Sequence, residues 1–189
     1  MEPVSDATIA RLRKSGLWMV RNSNNGVSPS DDAMGFRWSP VGKWTEAEDW
    51  NPLPVCGGGL HGQGPGGFGG FSTSGTRFDF CETGSERVVV DENQIKVRRA
   101  RIIATDADAL RVLTVVCDDV FPGYLYMSRA TLRKGVTLPQ TVGGNLYMSR
   151  ATLRKGVTLP QTVGGHIDLS GATISEGVTL PQVNGRIYR

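Results

Sequence analysis

The chain has 189 residues and a mass of 20.4 kDa, room for one ordinary domain or two small ones. Hydrophobic residues make up 39% and charged residues 21%, which excludes a disordered chain, and the formal net charge is only +3. No apolar run reaches the ~18 residues that span a bilayer, the opening residues lack the apolar stretch of a secretory signal, and three cysteines without a C-x-x-C pair make no disulfide framework, so a soluble, cytoplasmic protein is expected.

The first predicted element is a short helix from Asp6 to about Ser15. Ser5 or Asp6 can cap it, Ile9 and Leu12 point inward, and Gly16 breaks the pattern. From Ser28 the composition changes. Phe36, Trp38, Trp44 and Trp50 fall among Pro40, Pro52 and Pro54, and 9 of the 14 residues from Gly57 to Gly70 are glycine, so loops are predicted to dominate. Val88 to Val90 and Ile95 to Ile103 are β-rich runs separated by Asp91-Glu92-Asn93-Gln94, the pattern of a hairpin.

The last third of the chain is a repeat. LYMSRATLRKGVTLPQTVGG runs from Leu125 to Gly144 and recurs unchanged from Leu146 to Gly165, a period of 21 residues; a divergent third copy, one residue shorter, runs from Ile167 to Gly185. The apolar positions Leu125, Met127, Ala130, Leu132, Val136, Leu138 and Val142 stand two apart with corners between, and Pro139 and Gly143-Gly144 leave no length for a helix. Each copy is therefore predicted to be one coil of three strands of ~5 residues, stacked at ~4.8 Å so that Leu125 lies on Leu146 and Ile167, and Val136 on Val157 and Val178. Val115, Cys117 and Phe121 stand 21 residues before Val136, Leu138 and Val142, which predicts a degenerate first coil with Cys117 in the core. The fold class expected is mainly β: an N-terminal helix and linker at 1–27, a small glycine- and aromatic-rich α+β domain at 28–105, and a short parallel β-solenoid of 21-residue coils at 106–189.

Charge divides unevenly along this plan. Residues 1–123 hold 13 Lys and Arg against 16 Asp and Glu, while 124–189 hold 8 against 2. Stacked coils bring Arg129 over Arg150, Arg133 over Arg154 and Lys134 over Lys155, and like charges ~5 Å apart repel by nearly 1 kcal/mol each in water. An anionic partner would relieve this.

The glycine-rich segment offers other chemistry to weigh. Cys56, His61 and Cys81 could supply three zinc ligands but no fourth, and Gly57-Gly58-Gly59-Leu60-His61-Gly62 satisfies G-x-G-x-x-G without a strand before it and a helix after it. Cys56, Gly57, Gly59, His61 and Gly62 are thus read as a structural motif, with no metal, cofactor or catalytic residue assigned.

Trp50-Asn51-Pro52-Leu53-Pro54-Val55-Cys56-Gly57-Gly58-Gly59-Leu60-His61-Gly62, with Gly35-Phe36-Arg37-Trp38 before it and Lys96-Val97-Arg98-Arg99-Ala100 after it, resembles an uncharacterised domain family of bacterial and phage proteins. The resemblance covers roughly residues 28 to 105 and implies a compact domain often joined to repeat arrays; it implies no activity. Leu159-Pro160-Gln161-Thr162-Val163-Gly164-Gly165-His166-Ile167-Asp168-Leu169-Ser170-Gly171 resembles leucine-rich-like arrays of bacterial and phage proteins, without the asparagine that satisfies the inner turn of true leucine-rich repeats. A closed triangular solenoid and an open arc both fit. The segment is also loosely similar to ADP-ribosyltransferases. Leu60-His61-Gly62 would then hold a nicotinamide ribose, Phe71-Ser72-Thr73-Ser74 would be a structural strand and Glu82 or Glu86 would stabilise an oxocarbenium-like charge, although Glu-x-Glu is missing.

The functional expectation is a noncatalytic interaction or scaffold protein. Its solenoid would present Arg129, Arg133, Lys134, Arg150, Arg154 and Lys155 to a protein or another anionic macromolecule, with nucleic acid ranked below protein. No membrane partner is expected, and the open end of the array is a surface for self-association. An ADP-ribosyltransferase-like enzyme is the alternative.

Overall fold

The computed structural model describes residues 3–24, 26–27, 36–65, 77–91 and 94–189. It begins with α1 (Asp6–Ser15), which starts and stops where the sequence predicts. The Ser5 hydroxyl accepts the Thr8 amide at 3.3 Å, Gly16 closes the last turn at φ 63°, and Ile9 and Leu12 are the buried residues.

The strands β1 (Trp18–Ser23), β2 (Trp44–Glu46), β3 (Leu60–Gly62), β4 (Arg77–Thr83), β5 (Arg87–Asp91), β6 (Gln94–Val97) and β7 (Arg99–Thr105) build two sheets. One is antiparallel with order β1-β4-β7-β2, the other has order β3-β6-β5, and Val20 joins them through paired backbone hydrogen bonds with Gln63, both 2.8 Å. The predicted hairpin is present as β5 and β6. The run Ile95 to Ile103 is not one strand, however; it breaks at Arg98 and crosses from one sheet to the other. Loops dominate residues 36–59 as expected, and the glycine-rich stretch contributes one short strand, Leu60–Gly62, which pairs with β6. The glycines at 66–70 and the serine-rich 71–74 lie outside the described residues.

Each face of the larger sheet covers a different core. Met19, Cys81, Ala100 and Ile102 pack with Leu60, Ile95 and Val97 of the second sheet and with Trp38 and Ala47. Trp18, Val20, Phe78, Phe80 and Ala104 share the other core with Ile9 and Leu12 and with α2 (Asp106–Val116). Residues 106–116 correct the predicted degenerate coil. Ala109, Leu110, Val112, Leu113 and Val116 are all buried at helical spacing, and Val115 lies exposed on this helix. Cys117 ends the helix and packs against its core, where burial pushes the thiol up to about 12. The reading survives at Phe121. On β8 (Val120–Phe121) it is the register partner of Val142, as the 21-residue offset predicts.

Then come β9 (Leu125–Tyr126), β10 (Thr131–Leu132) and β11 (Thr141–Val142). The next coil repeats them as β12 (Leu146–Tyr147), β13 (Thr152–Leu153) and β14 (Thr162–Val163), and the third as β15 (Ile167–Asp168), β16 (Thr173–Ile174) and β17 (Gln182–Val183). A last strand, β18 (Ile187–Tyr188), pairs with β15. The parallel ladders put Leu125 beside Leu146 and Leu146 beside Ile167, the predicted columns. Strands are two residues long rather than about five, and a fourth line of contact, Thr137 to Thr158, adds to the three ladders. The cause is two tight turns per coil, Met127 to Ala130 and Arg133 to Val136, each closed by a backbone hydrogen bond of 3.1 Å. Leu125, Leu132, Leu138 and Val142, one from each stretch of the coil, are all buried in one interior, so the coil is closed rather than an open arc. The glycine pair sits where coils touch most closely. A Cβ on Gly164 would run into the Gly143 carbonyl of the preceding coil.

The two ends of the array differ. At the upstream edge β8 pairs with β11, Thr114 Oγ1 donates to the Thr137 carbonyl at 3.3 Å, and Gln63 and Asn22 donate side-chain N–H groups to the carbonyls of Tyr124 (2.7 Å) and Tyr126 (3.4 Å). The interior of the coils and the helical face of the sheet form one continuous core. At the downstream edge β16, β17 and β18 are the last strands of their sheets, with Ile174, Ile187 and Tyr188 exposed. Among the described residues no helix is long and apolar enough to cross a membrane.

Candidate functional site

The side of the solenoid between the two turns carries the basic residues. From 129 to 133 the chain alternates. Arg129, Thr131 and Arg133 face outward and are exposed, while Ala130 and Leu132 pack inward. Thr131 pairs in register with Thr152 and Thr152 with Thr173, so this side is a column of threonines flanked by Arg129 and Arg150 at one corner and by Arg133, Lys134, Arg154 and Lys155 at the other. The structure places Arg129 and Arg150 at one turn of successive coils and Arg133, Lys134, Arg154 and Lys155 at the other. Arg133 also lies close enough to Asp106 to act on its carboxyl, which burial raises.

Backbone conformation distinguishes one corner from the other. Each turn needs a residue with positive φ at its third position, the conformation glycine adopts at least cost. The turns starting at Arg133, Arg154 and Ser175 use Gly135, Gly156 and Gly177, at φ 83° to 85°. The turns starting at Met127 and Met148 put Arg129 and Arg150 there, at φ 62° and 56°, and only the third coil uses glycine, Gly171 at φ 65°. A left-handed non-glycine residue costs roughly 1–2 kcal/mol. The two arginines hold their corner against that cost.

The structural motif of the N-terminal domain has an organising residue that the sequence reading did not single out. Lys96, on β6 opposite His61, is fully buried and donates from Nζ to the carbonyls of Val55 and Gly57, both at 2.9 Å. Gly57, Gly58 and Gly59 all have positive φ, which lets the loop fold over the ammonium. Cys56 is exposed, Cys81 is buried in the sheet core, and His61 is half-buried with Nδ1 3.1 Å from Gln94 Oε1. Burial lowers the His61 pKa. Among the described residues no group of three or more His, Cys, Asp or Glu stands together as a metal site would require. Glu82 accepts from Arg11 and Arg101, each at 2.8 Å, on the face of β4 toward α1, whereas Cys81 lies on the face toward the second sheet. Burial alone would raise the Glu82 pKa; the two guanidiniums outweigh it and hold the carboxyl below its usual range. Glu86 pairs with Arg98 at 3.3 Å.

Comparison with protein-family models, curated proteins and solved structures gave no match.

Proposed function

We propose that the chain is a noncatalytic interaction protein that binds an acidic macromolecule, a protein surface foremost, on the basic side of its solenoid. The observation that carries this reading is the pair Arg129 and Arg150. Both occupy a turn position where glycine is cheaper, and both stack where like charges repel. Backbone strain and electrostatic repulsion both oppose arginine there, and an anionic partner offsets the two together. The flat threonine column between the basic rows lets an extended acidic segment lie along the side, with carboxylates reaching both corners.

Reversal of Arg129, Arg133, Arg150 and Arg154 to Glu tests this. A fluorescent polyglutamate peptide should bind the parent chain at low salt and fail to bind the variant, while circular dichroism and the thermal midpoint show that the variant still folds. Duplex DNA forms the second arm. If all six cations met phosphates, its log-log salt slope would be about −5. Failure of polyglutamate to bind the parent would defeat the acidic-protein reading, and failure of both probes would defeat anionic binding by this side.

A further inference from the structure

Beside α1 lies an open groove of about 290 Å³, walled by Asp6, Ile9, Ala10, Arg13 and Lys14 of that helix and by Val115 of α2. The five residues of α1 follow the spacing i, i+3, i+4, i+7, i+8, which is one face of a helix. Ile9 is buried, while Val115 is 43% exposed. The face is apolar at its centre and charged at its ends. Ala10 stands midway between Asp6 in the first turn and Lys14 in the last, and all three are exposed.

The charges at the two ends are not spent within the chain. Arg13 is spent, since its Nη2 donates to the Val115 carbonyl and pairs with Asp118 at 2.7 Å. Among the described residues Asp6 and Lys14 take part in no ion pair. The helix dipole favours an acid in the first turn and a base in the last, but on any face. Here both line the groove, four residues either side of Ala10, and this makes the face complementary to itself. A second α1 laid antiparallel across it, about a twofold axis at Ala10, sets Asp6 level with Lys14 of the second copy and Lys14 level with its Asp6, each ~6 Å along the helix from the axis. Arg13 then comes level with Ala7 of the second copy, so the two Arg13 side chains do not meet. Alanine at the crossing lets the helix axes approach to about 8 Å, the close end of helix packing, and brings the second helix over the groove.

We propose that α1 is the interface of a weak twofold dimer, in which the α1 of a second copy of this chain lies antiparallel in the groove beside α2, separate from the basic side of the solenoid. Burial of Ala10 and Val115 supplies the apolar contact, and the two reciprocal Asp6 to Lys14 pairs set the direction. A parallel pairing would oppose the two Asp6 carboxylates and the two Lys14 ammoniums.

Sedimentation of the full chain tests the interface. At about 0.5 mM chain the parent should be mainly dimeric at low salt, where exposed ion pairs are least screened; one helix per copy makes a small interface, hence the high concentration. Asp6→Lys and Lys14→Glu should each lower the association constant about tenfold or more, because two attractions become two repulsions. Both positions are exposed, and circular dichroism of each variant should match the parent. An equimolar mixture of the two variants separates ion pairing from any loss of fold. In the mixed pair each end again joins an acid to a base, so the mixture should sediment as a dimer although neither variant does alone. A parent that stays monomeric, single variants that associate as well as the parent, or a mixture that stays monomeric would overturn the proposal.

Discussion

Asn145 and His166, one coil apart, perform the same task with different chemistry. Asn145 Oδ1 accepts the backbone N–H of His166 at 2.8 Å, and His166 Nδ1 accepts the backbone N–H of Arg186 at 2.8 Å. Each side chain satisfies the amide that opens the following coil, directly after Gly165 in one case and Gly185 in the other. Tyr124, Asn145 and His166, the residues just before each coil, differ, while the next 20 residues of the first two coils are identical.

Replacing Asn145 by alanine should cost about 1 kcal/mol, the usual net worth of such a hydrogen bond. Asn145→His should cost less, because the downstream coil already shows that an imidazole nitrogen fills the role. Urea denaturation of the two variants decides it; equal losses would mean that an imidazole does not replace the amide at this position.

The strained corner makes a prediction of opposite sign. Arg129→Gly and Arg150→Gly should each stabilise the chain by about 1 kcal/mol, since glycine relieves the left-handed backbone at a modest cost in unfolded-state entropy. The same changes should weaken polyglutamate binding. Gain in stability with loss of binding is what a residue kept for function predicts, and a loss of stability would show that the arginine side chains are held for packing.

Lys96 should be far less tolerant than its surface counterparts. Lys96→Met removes both hydrogen bonds to the loop carbonyls and should cost about 2 to 4 kcal/mol. Loss of these contacts should also loosen the backbone around Cys56, read as faster hydrogen exchange from Val55 to Gly59. Unchanged exchange in a destabilised variant would place the effect in the sheet instead.

Glu82 links stability to pH. Its folded pKa lies below the unfolded value of about 4.3, so its ion pairs with Arg11 and Arg101 stabilise the chain fully above that value and lose their effect as pH falls through the folded pKa. The difference in urea midpoint between the parent and Glu82→Gln should therefore be large at pH 7 and shrink toward pH 3. A difference independent of pH would assign the loss to packing.

Deleting Asn145 to Gly165 joins Gly144 to His166 in unbroken register, and the shortened chain should fold with one layer of core fewer. Removing only ten residues from the same stretch leaves half a coil, which breaks the inward columns downstream of it, and should do far more damage. Near-equal melting profiles for the two deletions would contradict nearest-neighbour stacking.

Parts of this architecture were legible because local signals agreed. In α1 the cap, the inward pair and the terminal glycine all name the same ten residues. The coils announce themselves by repetition. The strand β1 was illegible for a physical reason. All six of its residues are buried, three of them the polar Arg21, Asn22 and Ser23, so neither alternation nor an apolar run marks it. In β4 the buried Asp79, Glu82 and Thr83 hide the strand in the same way. Helix α2 was misread because Val115 and Cys117 happen to fall on the 21-residue period, and the period outweighed the five buried apolar residues that mark its helical stripe. Of the candidate site, the stacking of the basic residues followed from the period, whereas the left-handed backbone under Arg129 and Arg150 could have been suspected only from Gly171 at the same place in the third coil.

Because each coil pairs with the one before it through the same parallel ladders, the length of the array is adjustable. A further identical coil lengthens the solenoid by ~4.8 Å, leaves the helical plug and its contacts as they are, and adds one more rung of three cations. On the proposed function, each duplication would then add one whole step of valency toward an acidic partner, so that grip would rise through the number of simultaneous attachments rather than through improvement of any single one.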